Sequence, residues 1–168
     1  KRFAVFYQND PFGLDGLASA EASIRKANGQ LLVKAGYEKN TTEVAAAVKA
    51  IAAAAPQAVI MVSNTAASSE FLKQSRAAGH LAQFVTTSVT DGPQAAQKIR
   101  NEAPQGLAIT QVVPDPNNRS TPLIREVQEA FDKFKPKDVT LNHTFIEGYV
   151  GAKILGEGLR RAGANPSR

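Results

Sequence analysis

An open, mostly parallel five-stranded α/β sheet with helices on both faces is the fold class this sequence predicts, and three observations predict it. Short β-branched and aromatic runs alternate with helical apolar spacing up to about Val113. Each run ends in polar residues that favour turns, and the helical stretches close at Gly, Asn-Gly or Pro. With 168 residues, 43% of them hydrophobic, the chain is long enough for one well-buried domain and too short for two ordinary ones.

Phe3 to Tyr7 reads as a buried strand, ended by Asn9-Asp10-Pro11. Leu14, Leu17, Ile24 and Ala27 then mark one face of a helix that stops at Asn28-Gly29. Gln30 to Tyr37 is the second strand. Asn40-Thr41-Thr42-Glu43 resembles a helix cap, and Val44, Val48, Ile51 and Ala55 form the buried stripe of an alanine-rich helix broken by Pro56. Ala58 to Val62, the most continuous apolar run, is placed as a central strand ending in Ser63-Asn64-Thr65. A third helix puts Phe71, Leu72, Ser75 and Ala78 inward and stops at Gly79.

Gln83 to Thr87 is a short fourth strand, and Asp91-Gly92-Pro93 starts a short helix anchored by Ala96 and Ile99. Gly106 to Val113 is the fifth strand. The run Pro114-Asp115-Pro116-Asn117-Asn118-Arg119 cannot extend a central strand and marks a boundary. Beyond it, Thr121-Pro122 opens a helix carrying Leu123, Val127, Phe131 and Phe134 and closed by Lys135-Pro136. A last helix begins at a capping box, Thr144 to Glu147, and runs through Tyr149, Ala152, Leu155 and Leu159 to Gly163. Its Gly148, Gly151, Gly156 and Gly158 each cost about 1 kcal/mol relative to Ala, which close backbone approach to another element would justify. These two helices have no strands of their own to pack on.

Composition narrows the function. Net charge is +5, but the 20 Lys and Arg are spread along helices without interleaved aromatics, which argues for a solvated basic surface and against nucleic acid. No apolar run reaches the ~20 residues that cross a bilayer, so no direct membrane insertion is expected, and any targeting signal lies outside this sequence. The absence of Cys removes thiolate chemistry. His80 and His143 flank a helix stop and a cap, and Asp10, Asp15 and Asp91 lack metal-ligand spacing, so neither catalysis nor a metal or cofactor is expected. No G-x-G-x-x-G follows the first strand.

Phe6-Tyr7-Gln8-Asn9-Asp10-Pro11-Phe12-Gly13, Arg76-Ala77-Ala78-Gly79, Gly106 to Val113 with Pro114-Asp115-Pro116, and Glu147-Gly148-Tyr149-Val150-Gly151-Ala152 resemble the type I periplasmic solute-binding proteins of ABC importers. The branched-chain amino-acid group is most similar, over the whole chain in order but only about the second half of such a protein. The resemblance implies two lobes facing a cleft, with residues 1–113 forming the second lobe, 114–119 a hinge crossing, and 120–168 helices of a first lobe whose sheet is missing here. It implies a small-molecule solute (an amino acid, or a small carboxylate or aromatic acid), an ABC permease and a periplasmic location. The apolar helix faces would let the fragment self-associate. A ligand-sensing regulatory or receptor module of the same fold is one alternative, and a flavodoxin-like or nucleotide-binding enzyme domain is another.

The carboxyl ends of parallel strands are where open α/β sheets hold ligands, and the resemblance points to the same edge. The candidates in the first turn are Asn9, Asp10 and Phe12, with Phe12 either a cleft wall or a staple over the first helix. In the third turn Asn64 and Thr65 could hydrogen-bond a solute or cap a helix. Ser88 stands where the resembling amino-acid binders carry a Glu that pairs with the ligand's ammonium, which puts an α-amino acid in doubt. Asp91 either supplies that charge or caps the next helix.

Overall fold

A computed structural model describes residues 1–99, 106–135 and 137–164, which fall into two compact units, Lys1–Thr110 and Gln111–Arg168. The predicted closing residue Pro136 lies outside the described residues. In the first unit five strands, β1 (Arg2–Gln8), β2 (Gln30–Tyr37), β3 (Ala58–Val62), β4 (Gln83–Thr86) and β5 (Leu107–Ile109), form an all-parallel sheet in the order β2-β1-β3-β4-β5. The chain leaves β1 in one direction to β2 and returns past it to β3. The carboxyl ends of β1 and β3 therefore flank the topological switch point, where such sheets open a crevice.

Helices α1 (Pro11–Lys26), α2 (Ala45–Ala54), α3 (Thr65–Ala77) and α4 (Gly92–Ile99) connect the strands. Strand alternation sends Ala4 and Phe6 to one face and Val5 to the other. On the first face Phe6 stacks on Phe71 at 4.1 Å and on Tyr37 at 5.0 Å, while Phe84 meets Phe71 edge-on. On the second, Leu17, Ala20 and Ile24 of α1 pack on Val5. Gly16 lets α1 lie close to β3, since a Cβ there would sit 2.5 Å from Val62 Cγ1. Phe84, Val59 and Met61 are fully buried, as a central position demands.

Several local expectations shift. Strand β5 stops at Ile109, well short of Val113, because β4 offers pairing only as far as Thr86; the Thr110 N–H takes the Thr86 carbonyl and the ladder ends. The Asn40 to Glu43 cap does not form: the Thr41 hydroxyl donates to the Glu38 carbonyl, and α2 starts after Val44 without a side-chain cap. Ala55 leaves the buried stripe for a left-handed C-cap at φ 47°. Leu14, Ala27 and Ala78 are exposed; α1 turns Ala20 inward instead, α3 keeps Phe71, Leu72 and Ser75 inward as expected, and Ala95 replaces Ala96 beside Ile99.

The second unit holds α5 (Pro122–Phe134) and α6 (His143–Ala162). Its core is small: Ile124, Val127 and Ile146, flanked by Leu123, Phe145, Tyr149 and Val150. Phe131 meets Phe145 edge-on at 5.2 Å. Glu126 ties the helices together, accepting from Tyr149 Oη at 2.7 Å and Lys153 Nζ at 2.6 Å, and Lys153 foremost holds its carboxyl below the usual range. The cap of α6 is Asn142, which accepts from the Phe145 N–H, two residues ahead of the predicted box. Phe134 is exposed where a buried stripe was expected, because α5 winds up there into a left-handed Lys135. Gly148, Gly151, Gly156 and Gly158 face open space, so no close approach within the described residues accounts for them. Ile154, Leu155 and Leu159 are all more than half exposed.

Candidate functional site

Three turns meet at the carboxyl edge of the sheet, and a residue that sequence reasoning passed over joins two of them. Gln8, the last residue of β1, shares the inward face with Ala4 and Phe6 and is only 7% exposed. Its Nε2 donates to Asp10 Oδ2 at 2.8 Å. Its Oε1 accepts from the Tyr37 hydroxyl at 2.8 Å and from Asn64 Nδ2 at 3.3 Å. A buried amide with partners on three sides fixes the ends of β1, β2 and β3 relative to one another. Burial pushes the Tyr37 phenol up, keeping it a hydroxyl that also accepts from the Asn64 N–H at 3.4 Å.

In the first turn Asp10 caps α1, accepting from the Gly13 N–H at 3.0 Å. Lys39 Nζ lies 3.3 Å from its other oxygen. The Gly13 bond foremost, with Gln8 and Lys39 adding to it, holds the carboxyl below its ordinary value. Asn9 is exposed and donates to Glu38 Oε1 at 2.7 Å. Phe12 is 39% exposed; it is a residue of α1 itself, past the cap, and so cannot occupy the staple position that precedes one.

In the third turn Asn64 caps α3 through the Ala67 N–H at 3.0 Å. It also lines an open hollow of about 440 Å³ with Ala66 and residues Asn40 to Glu43. The Thr65 hydroxyl reaches the neighbouring turn, donating to the Val89 carbonyl at 3.4 Å and accepting from the Asp91 N–H at 2.9 Å. Asp91 in turn accepts from the Gln94 N–H at 2.8 Å at the start of α4. Ser88 is half-buried and enters no hydrogen bond among the described residues. Beside it, the Thr87 hydroxyl is buried without a partner among them.

The edge thus brings Asp10 and Asn64 together through Gln8, and Thr65 and Asp91 together directly. Both alternatives for Asn64 and Asp91 included capping, and both residues cap. Among the described residues no group of His, Asp and Glu is placed to hold a metal ion, and no helix is long and apolar enough to cross a membrane. The signal that could have found Gln8 is its place at an inward position of an otherwise apolar strand, where a polar side chain must find partners.

The profile of the periplasmic binding protein family matches residues 1–168, and the chain belongs to that family. Its fold recurs in a substrate-binding periplasmic protein from Ralstonia solanacearum, with 32% identity and a TM-score of 0.89 over 99% of this chain and 47% of that one. A possible leucine/isoleucine/valine-binding protein from Rhodopirellula baltica SH 1 is 28% identical, with a TM-score of 0.83 over 92% of this chain and 42% of that one. A leucine binding protein from Thermotoga maritima shares the fold at 18% identity, with a TM-score of 0.82 over 97% and 45%. No curated protein matches the chain. The chain spans less than half the length of these solved relatives. The family consists of extracytoplasmic solute-binding proteins rather than enzymes.

Proposed function

We propose that this chain is part of an extracytoplasmic protein that captures a small organic solute in an interlobe cleft and presents it to an ABC permease. The observation that carries the reading is the carboxyl edge of the sheet, where the turns after β1, β3 and β4 are cross-linked by Gln8 and Thr65. Asn9, Asp10, Phe12, Asn64, Thr65, Ser88 and Asp91 are the proposed ligand-facing set. Of these, Phe12 and Ser88 have side chains that the fold itself leaves uncommitted among the described residues. The second wall of the cleft would be a first lobe outside this chain, with α5 and α6 contributing its helices. Their exposed apolar faces support that assignment.

The test is a thermal-shift screen of the longer parent protein against amino acids, aromatic and short-chain carboxylates and amides. A solute at a hundred times its dissociation constant stabilises by about 2.7 kcal/mol, which raises the melting temperature by roughly 3–5 °C in a parent about as long as these relatives. A single solute class producing that rise supports the reading. No rise with any class, and a phosphate-containing cofactor retained on purification, would replace it with a nucleotide-binding one.

A further inference from the structure

We infer that Thr90 is a positioning residue which, with Thr65, clips the turns after β3 and β4 into one rigid shelf that presents Ser88. The inference rests on the proposal that this edge receives the solute. Thr90 is 1% exposed. Its Oγ1 lies 2.9 Å from Thr86 Oγ1, 3.0 Å from Ser68 Oγ and 3.3 Å from the Ser63 carbonyl oxygen. Those partners belong to β4, to α3 and to the turn that leaves β3, so one hydroxyl is shared among three segments. Ser63 and Ser68 close the knot at 2.7 Å, and the Thr86 hydroxyl donates to the Met61 carbonyl at 3.2 Å.

Thr65 repeats the clip from the outer side, on the Val89 carbonyl and the Asp91 N–H. Consecutive residues 89, 90 and 91 are thereby pinned, the middle one from inside and its neighbours from outside. Ser88 stands immediately before the pinned run with its hydroxyl unengaged among the described residues. Packing alone does not call for this arrangement. Valine fills the volume of threonine, and a buried cluster of hydroxyls carries a desolvation penalty that its hydrogen bonds must offset. What hydroxyls add is direction, because a satisfied buried network admits one arrangement of its members.

The experiment is residue-resolved amide hydrogen exchange on the whole 168-residue chain. In Thr90→Val the amides of Thr90 and Asp91 should exchange about tenfold faster, the scale set by stranding buried partners of a lost hydroxyl. Amides of Val5 and Phe6 in β1 should change by less than about twofold. Thr90→Ser, which keeps the hydroxyl, should restore wild-type exchange in the turn. The clip is overturned if the turn amides accelerate no more than those of β1, or if Thr90→Ser behaves like Thr90→Val. Should Thr90→Val fail to fold, Thr65→Val carries the same expectation at the Asp91 amide. This readout needs no ligand, so its failure leaves the solute-binding proposal standing, and an empty solute screen leaves the clip standing.

Discussion

Replacing Gly13 by Ala sets two physical effects of opposite sign against each other. Gly13 is buried in the first turn of α1, and on helix propensity alone Ala would gain up to about 1 kcal/mol. The structure reverses that sign. A Cβ at position 13 would lie 1.8 Å from the Gln8 carbonyl oxygen, 2.6 Å from its carbon and 2.7 Å from the Gln8 nitrogen, all backbone atoms that cannot rotate away. Nonbonded heavy atoms rest at about 3.5 Å, so the start of α1 must move by roughly 1.5 Å. That displacement strains the Asp10 to Gly13 cap and the Asp10 to Gln8 bond together. Overpacking of this kind costs about 1–3 kcal/mol, and with rigid backbone on both sides the upper end applies, leaving a net loss of about 2 kcal/mol after the propensity gain. In a chain of this length that lowers the melting temperature by roughly 4–8 °C. Thermal unfolding followed by circular dichroism measures it. A Gly13→Ala protein that melts within about 1 °C of the wild type, well inside that expected fall, would refute the close approach.

Gln8→Leu should cost about 1–3 kcal/mol by stranding the Tyr37 hydroxyl and the Asn64 amide, seen as a lower urea midpoint at unchanged slope. The Asp10 carboxyl has a folded pKa below its unfolded value near 3.8, so its stabilisation is complete above that value and is lost as pH falls through the folded pKa. Asp10→Asn keeps a cap acceptor but cannot titrate, so melting temperature plotted against pH should fall less steeply below about pH 4 than in the wild type. Gly148→Ala meets nothing within 4 Å and should stabilise this chain by up to about 1 kcal/mol in thermal melts. In the longer parent the same change should destabilise if the α6 glycines make there the close backbone approach that would justify them.

The sheet was legible because its signals are local and repeated: each apolar run, its polar terminus and the helical spacing after it lie within a few tens of residues. Errors collected where a partner decides the outcome. Strand β5 ends early because β4 is short, which no feature of residues 110–113 announces. The Asn40 to Glu43 pattern satisfies the capping rule, yet the Thr41 hydroxyl is taken by Glu38, a choice set by the loop's path out of β2. The turns after β1, β3 and β4 were legible because Asn, Asp and Ser favour turns, whereas Phe12 and Ser88 were singled out by the resemblance. Gln8 and Thr90 were not found, since each is one polar residue whose partners come from elements distant in sequence, such as Tyr37 and Asn64 for Gln8 and Ser68 for Thr90.

The way charge is committed along this edge bears on what solute it suits. An ammonium taken out of water without a counter-charge costs several kcal/mol, so an α-amino acid needs a carboxylate to meet it. Asp10 is a poor donor of that charge. One oxygen caps α1 and the other holds Gln8 and Lys39, so turning it toward a ligand would undo the first turn. Glu38 is engaged with Asn9, and Asp91 already uses one oxygen on the Gln94 N–H. Ser88 offers a hydroxyl in the place where the resembling amino-acid binders carry a carboxylate. On the proposed site, a solute bearing an ammonium would draw its counter-charge from Asp91, from Glu43 in the hollow beside Asn64, or from outside this unit. A neutral or carboxylate solute asks for no such charge, and on the proposed site Ser88 and Phe12 would offer it a hydroxyl and an aromatic surface.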